Sequence, residues 1–208
     1  MITRITAKSY RCFKSLTLDL KQYHVLVGAN GSGKSTLLDL LSVFGDLLLS
    51  RNVSEAFFGS PPSRKQARAS KPSELIHNSE GGEFTIGIEV ELPQEIRRLL
   101  IPTARVKGAK SPSGYLAIRY SVTLEDFNGM LQVSNESLVL VSAKKTFLGK
   151  PPVRKVIERE KGSITFVTSE PPVADGEERQ KFEFTIPPNQ LALKNIRQMI
   201  ACSRRPTG

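Results

Sequence analysis

The sequence predicts an α/β fold with strong α+β character: one strand–loop–helix unit near the start, followed by a mainly antiparallel sheet. Three patterns carry that prediction. The run Gly28-Ala29-Asn30-Gly31-Ser32-Gly33-Lys34-Ser35 stands between a short β-prone stretch, Tyr23-His24-Val25-Leu26-Val27, and a stretch in which Leu37, Leu40, Leu41, Phe44, Leu47 and Leu48 recur at helical spacing. From Glu83 onward several runs alternate apolar and polar residues at period two, the mark of strands with one wet face. With 208 residues, 39% of them hydrophobic, the chain can bury one sizeable core, or one core with a satellite.

Taken in order, residues 2–8 read as a strand, Arg11-Cys12-Phe13-Lys14 as a tight connection, and residues 15–20 as a second, alternating strand. The helix is expected from about 33 to 49, with Gly45 a late interruption, and residues 52–58 as a short amphipathic continuation. These make a first unit, residues 1–58. Residues 59–82 are expected to form a flexible basic loop, because Pro61, Pro62, Pro72 and several serines are interspersed with Arg64, Lys65, Arg68 and Lys71. Residues 83–190 make the antiparallel β-rich part. Its strands are expected at 83–92, 115–124, 130–133, 137–141, 163–168 and 181–186. Leu116, Ile118, Tyr120, Val122 and Leu124 share one face of the second of these. Basic or proline-bearing loops separate them at 102–112, 144–155 and 170–178. Residues 191–208 complete a short helix, begun at 190 and ending at 202, and a polar tail.

The eight-residue run fits G-x-x-x-x-G-K-[ST], the phosphate-binding P-loop. Glycines let the backbone fold back so that consecutive N–H groups point at a phosphate chain. Lys34 reaches the outer phosphates, the Ser35 hydroxyl can ligate Mg²⁺, and the start of the following helix adds its positive dipole end. The expected ligands are ATP and Mg²⁺. Composition narrows the rest. The two cysteines, Cys12 and Cys202, give neither metal-ligand spacing nor a disulfide framework. No apolar run approaches the length of a membrane span, and the start lacks a secretory segment. The expectation is a cytoplasmic protein with no membrane partner. A net charge of +10 favours polyanions, non-specific DNA included, although solvated basic loops give the same number. The basic residues fall mainly in loops: beside those at 59–73, Arg105, Lys107 and Lys110, then Lys144, Lys145, Lys150, Arg154 and Lys155.

The opening Ile-x-x-Ile-x-Ala-x-x-Tyr-Arg-Cys-Phe-Lys-Ser-Leu-Thr-Leu-Asp-Leu, followed by residues 26–39, resembles the ABC-type ATPase heads of the SMC/RecF/OLD group, many of which carry the label "AAA family ATPase". The resemblance is specific over residues 1–50 and softer from 83 to 193. It implies that Gly28, Ala29, Asn30, Gly31, Ser32, Gly33, Lys34, Ser35 and Thr36 bind nucleotide. Arg11 matches an N-terminal arginine that approaches the nucleotide in some relatives. It also implies a role in DNA repair, genome maintenance or anti-phage defence, driven by ATP-dependent association of heads. Such heads have two lobes, and the second supplies a Leu-Ser-Gly-Gly-[Gln/Glu] signature and an apolar strand ending in Asp-Glu.

Neither element is found in this sequence. Ser79-Glu80-Gly81-Gly82-Glu83 precedes an alternating strand rather than a helix, and Val122-Thr123-Leu124-Glu125-Asp126 alternates where a central parallel strand would be apolar throughout. His24 and His77 do not fit a switch histidine. No catalytic residue is identified, and residues 23–27 are the only strand of central type, so the central sheet is expected to be incomplete. Self-association, or a partner chain supplying the second lobe, is the corresponding expectation. The alternative is a nucleotide-sensing adaptor that docks a partner and turns nothing over. A GTPase is disfavoured: no Asn-Lys-x-Asp guanine reader occurs, and Asp126-Phe127-Asn128-Gly129 fits Asp-x-x-Gly only as a turn.

Overall fold

The structure, a computed structural model, describes residues 1–59, 66–100, 115–142, 153–160, 163–167 and 181–195. Eight strands build one open sheet: β1 (Ile2–Tyr10), β2 (Phe13–Asp19), β3 (Glu83–Glu91), β4 (Tyr115–Phe127), β5 (Met130–Ser142), β6 (Val153–Glu160), β7 (Ser163–Val167) and β8 (Lys181–Phe184). Their spatial order is β2-β1-β3-β4-β5-β6-β7-β8, and every neighbouring pair is antiparallel. Among the described residues three α-helices accompany it: α1 (Lys34–Leu49), α2 (Val53–Phe58) and α3 (Gln94–Leu99). The fold is thus mixed α/β with a mainly antiparallel open sheet, as the alternation predicts.

Alternation fixes which face is wet. Phe84 and Ile86 of β3, and Tyr120, Val122 and Leu124 of β4, turn inward with Ile5 and Ala7 of β1. Leu116 departs from the expected face: it is exposed while Ala117 is buried, because the β4–β5 register shifts between Tyr115 and Ala117. Helix α1 lays Leu40, Val43, Phe44 and Leu47 on this inward face, one stripe at helical spacing. Phe44 meets Tyr120 edge-on at 6.4 Å, while α2 brings Phe57 edge-on to Phe84 at 5.7 Å. Asn52 caps α2 by accepting from the Glu55 amide at 2.9 Å, which is why α2 is a separate helix and not a continuation of α1.

Several expectations are corrected here. The strands expected at 130–133 and 137–141 are one strand, β5; the polar Ser134-Asn135-Glu136 between them lies inside the ladder. Strand β6 and helix α3 were not expected. Within the region expected to be a flexible loop, residues 66–82 hold two 3₁₀ turns, Pro72–Leu75 and His77–Ser79, with Ala69 and Leu75 buried. At the end, residues 190–195 of the expected helix fall within the described residues: Gln190, Leu191 and Ala192 are not helical and Leu193–Asn195 is a single 3₁₀ turn; 196–202 lie outside them, Cys202 included, as do the loops 102–112 and 170–178.

One inward position of β5 carries a carboxylate. Glu136 is fully buried and accepts hydrogen bonds from the Tyr120 hydroxyl (2.9 Å) and the backbone amides of Ala192 (2.7 Å) and Leu193 (2.9 Å). Beside it Arg159 of β6, also buried, donates to the Gln190 carbonyl at 2.7 Å. Together they pin the segment 187–193 across the end of the sheet. Burial pushes the Glu136 carboxyl above its ordinary value of 4.5, and the amides of Leu193 and Ala192 pull it part of the way back. The folded chain therefore holds this proton more tightly than the unfolded chain. Its contribution to stability is fully present below pH 4.5 and is lost as pH rises through the folded value. Chemical denaturation of wild type and Glu136→Gln across that range should show wild type losing stability relative to the variant as pH rises. A gap that moves the other way would contradict the assignment.

Candidate functional site

The segment 23–27 is extended but is not a strand. Tyr23, Val25 and Val27 are 90%, 87% and 89% exposed, and among the described residues no strand pairs with the segment. The sequence reading is corrected on this point. β-propensity makes a segment able to enter a sheet, but only a hydrogen-bonding neighbour makes it a strand.

The loop that follows has P-loop geometry. Gly31 and Gly33 lie in the left-handed region, at φ +82° and +91°. The Ser32 amide donates back to the Ala29 carbonyl at 3.2 Å. Lys34 Nζ donates to the carbonyls of Gly28 (2.7 Å) and Ala29 (2.8 Å), drawing the loop into a ring over its own helix start. The first helical bond of α1 runs from the Leu37 amide to the Gly33 carbonyl at 2.9 Å, so the amides of Lys34, Ser35 and Thr36 have no intrahelical acceptor. Helices normally answer these donors with a capping side chain or an acidic first turn. Here the N-cap is Gly33, no side chain caps, and the first turn has no acidic residue. The Ser35 side chain is exposed on the same turn.

Beneath the loop lies the β1–β2 turn. A Cβ built on Gly33 would meet Cys12 Sγ at 2.9 Å and the Phe13 ring at 3.1 Å. In the same turn Arg11 takes a positive φ of 49°, uncommon for a residue with a side chain. Four contacts hold it there. Its amide donates to the Leu75 carbonyl at 2.8 Å, its carbonyl accepts from His77 Nδ1 at 2.8 Å, its guanidinium lies over the Tyr10 ring, and its Nη2 donates to the Arg68 carbonyl. Arg11, Cys12, Thr36, Arg68, Asn78 and Ser79 line an open recess of about 460 Å³ directly beside the loop. Arg11 and Thr36, far apart in sequence, are thus brought to one cavity.

Arg68 overturns the expectation of a solvated basic loop. Its side chain is fully buried. Nε donates to Asp39 at 3.1 Å, Nη2 to Asp46 at 2.7 Å and to Ser42 Oγ at 2.9 Å, and Nη1 to the Ala56 carbonyl at 2.7 Å. Breaking a buried pair of this kind costs roughly 3–5 kcal/mol, because the partner left behind keeps its desolvation penalty. Sequence reasoning missed this cluster, although Asp46 inside an apolar stripe is the signal that could have found it.

Other sequence candidates are placed elsewhere. His24 Nε2 accepts from the Lys21 amide at 2.7 Å, away from any catalytic geometry. Val122–Asp126 lies in antiparallel β4, and Gly81 and Gly82 form the turn into β3. Of the basic residues considered for DNA, Lys71 is exposed and Lys155 pairs with Glu158, while Arg64, Lys65, Arg105, Lys107, Lys110, Lys144, Lys145 and Lys150 lie outside the described residues. A larger recess of about 600 Å³ opens at the far end of the sheet, but Glu83, Glu125 and Glu160 on its walls would repel phosphate.

The sequence profile of the AAA ATPase domain matches residues 1–198. No curated protein matches the chain. Among solved structures, a chain reported under "Structural biochemistry of ATP-driven dimerization and DNA stimulated activation of SMC ATPases" is similar at 17% identity, covering 73% of this chain and 71% of that one, with a TM-score of 0.39.

The two left-handed glycines should differ when replaced. Gly31→Ala has open space around the new methyl and should cost only the backbone strain, about 1–2 kcal/mol. Gly33→Ala adds the collision with Cys12 and Phe13 and should unfold at clearly lower denaturant than Gly31→Ala. Equal midpoints would mean that the loop does not rest on the β1–β2 turn.

Proposed function

Because the chain belongs to the AAA ATPase domain family, we propose that it binds ATP with Mg²⁺ at residues 28–36 and serves as the nucleotide-binding lobe of an SMC/RecF/OLD-like ATPase head. The observation that carries this is the start of α1: a glycine cap, no acidic first turn, and amides of Lys34, Ser35 and Thr36 left without intrahelical acceptors. A triphosphate satisfies those donors, and Lys34 would exchange its loop carbonyls for the outer phosphate oxygens. Mg²⁺, when bound, neutralises phosphate charge, and Ser35 is the residue here that would hold it. The recess beside Thr36, with Arg11 on its wall, is where the nucleoside end belongs.

Hydrolysis needs more than the loop: a second carboxylate on the metal side and a group that orients water. The two acids on α1, Asp39 and Asp46, are engaged by Arg68. Turnover therefore belongs to an assembly in which a second lobe contributes those groups. The unpaired segment 23–27 and the exposed Leu38, Leu48 and Leu49 of α1 give that lobe an apolar face to cover. In this reading the process served is DNA repair, genome maintenance or anti-phage defence, and any DNA contact is non-specific and salt-sensitive. A second reading, a nucleotide-sensing adaptor, is favoured by the engagement of both α1 acids with Arg68; it shares the binding step and differs in never turning over with any partner.

Lys34→Ala should weaken ATP·Mg²⁺ binding at least tenfold, about 1.4 kcal/mol, by calorimetry. Equal affinities for wild type and variant would overturn the assignment of the loop. The chain alone should hydrolyse far below the ordinary enzyme scale of about 1 s⁻¹. Turnover on that scale, abolished in Lys34→Ala, would show that the chain already carries its own catalytic groups.

A further inference from the structure

Resting on the nucleotide-site reading, we propose that Arg68 is a positioning residue: by clamping the back of the P-loop helix and presenting its carbonyl to Arg11, it shapes the recess beside Thr36 that selects a nucleoside triphosphate over bare triphosphate. The guanidinium itself is fully buried, with all three nitrogens engaged inside the protein. Its Nε, Nη1 and Nη2 are committed to Asp39, the Ala56 carbonyl, Asp46 and Ser42 Oγ. Those acceptors sit on two helices, α1 and α2, so one planar fork fixes both to the segment that carries residue 68. A lysine, a single point charge with no rigid fork, cannot span that set.

What Arg68 turns toward the site is backbone. Its carbonyl accepts from Arg11 Nη2. Arg11 stands in the left-handed region, a conformation that a non-glycine residue keeps only where its surroundings over-determine it. Two of its other three supports come from the same stretch of chain, the Leu75 carbonyl and His77; the third is the Tyr10 ring of β1. Asn78 and Ser79, consecutive residues at φ 54° and 57°, close the same recess. The wall opposite Thr36 is therefore built from residues 68–79, and the strongest bond from that stretch to the P-loop helix is the Arg68 clamp. The recess has the volume of an ordinary small-molecule site, and its walls carry the Asn78 amide, the Thr36, Ser73 and Ser79 hydroxyls, the Arg11 guanidinium and the Glu74 carboxylate, a set that suits a sugar and a base better than further phosphate. The phosphates, by contrast, are held by the loop and the start of α1, which depend on Gly33, Cys12 and Phe13.

The division of labour gives a test that a merely structural role would not pass. Affinities for ATP·Mg²⁺ and for tripolyphosphate·Mg²⁺ are measured on the full chain by calorimetry, for wild type, Arg68→Lys, Arg68→Met and Arg11→Ala. Wild type should prefer ATP. Arg68→Met and Arg11→Ala should each lose at least about fivefold of that preference, with tripolyphosphate affinity held within about twofold. Arg68→Lys should not restore it. The double variant should lose little more than either single one, because both act on one wall. Arg11→Ala alters a half-exposed side chain outside the clamp, so it decides the matter even if Arg68→Met fails to fold. An unchanged preference in Arg11→Ala, or a parallel loss of both ligands in Arg68→Met, would overturn the proposal. Wild type binding neither ligand would instead overturn the nucleotide-site reading beneath it.

Discussion

Along the chain, the P-loop is fastened to the sheet on its helix side. Ahead of it, the segment 23–27 makes no sheet pairing among the described residues; behind it, α1 is fastened to the sheet through Leu40, Val43, Phe44 and Leu47. The loop's position is therefore inherited from the packing of one helix on one face of an antiparallel sheet and from the seat of Gly33 on the β1–β2 turn. The length of β3 and β4 matters for this reason: together with β1 they supply the inward residues, Ile5, Phe84, Ile86, Tyr120 and Val122, against which that stripe is buried. An extended backbone with unmatched N–H and C=O groups is tolerable in water but offers a ready template for another strand. The same residues that make 23–27 β-prone make it a poor solvent-facing segment, with Val25 and Val27 almost fully exposed.

Two buried charge clusters then settle the parts that apolar packing leaves loose. Around Arg68, ion pairs fix the connection after α2 to the back of α1. Around Glu136 and Arg159, hydrogen bonds fix the segment 187–193 across the far end of the sheet, where the Asn189 carbonyl also accepts from the Val53 amide at the start of α2. Both clusters replace what a short connection cannot supply, a continuous apolar face. Their cost is specificity of partner: a buried carboxylate or guanidinium that loses one partner keeps its desolvation penalty. The first cluster borders the recess beside Thr36 and the second does not, so loss of the second should be felt as stability alone.

Much of this was legible in the residues. The stripe of α1 and the period-two runs of β3 and β4 are local patterns, and the structure places them as read except at Leu48 and Leu116, which are exposed. The misses share a cause. Strand β6, Val-Arg-Lys-Val-Ile-Glu-Arg-Glu, hides its period because Arg159 points inward to a buried partner, and Glu136 interrupts β5 in the same way. Arg68 looked like one of a run of solvated cations because its acceptors, Asp39 and Asp46, lie more than twenty residues away. Charge pairing across the fold leaves no trace in periodicity. Segment 23–27 failed in the opposite sense: its composition suits a strand, but pairing belongs to the fold and not to the segment.

Amide hydrogen exchange on the chain alone tests the helix-side anchoring most directly. Residues 37–47 of α1 and the inward strands should be protected, while 23–27 should exchange at rates close to those of an unfolded peptide. Addition of ATP·Mg²⁺ should slow the amides of Lys34, Ser35 and Thr36 and leave 23–27 fast. Protection of 23–27 comparable to that of β1, before any ligand or partner is added, would contradict it.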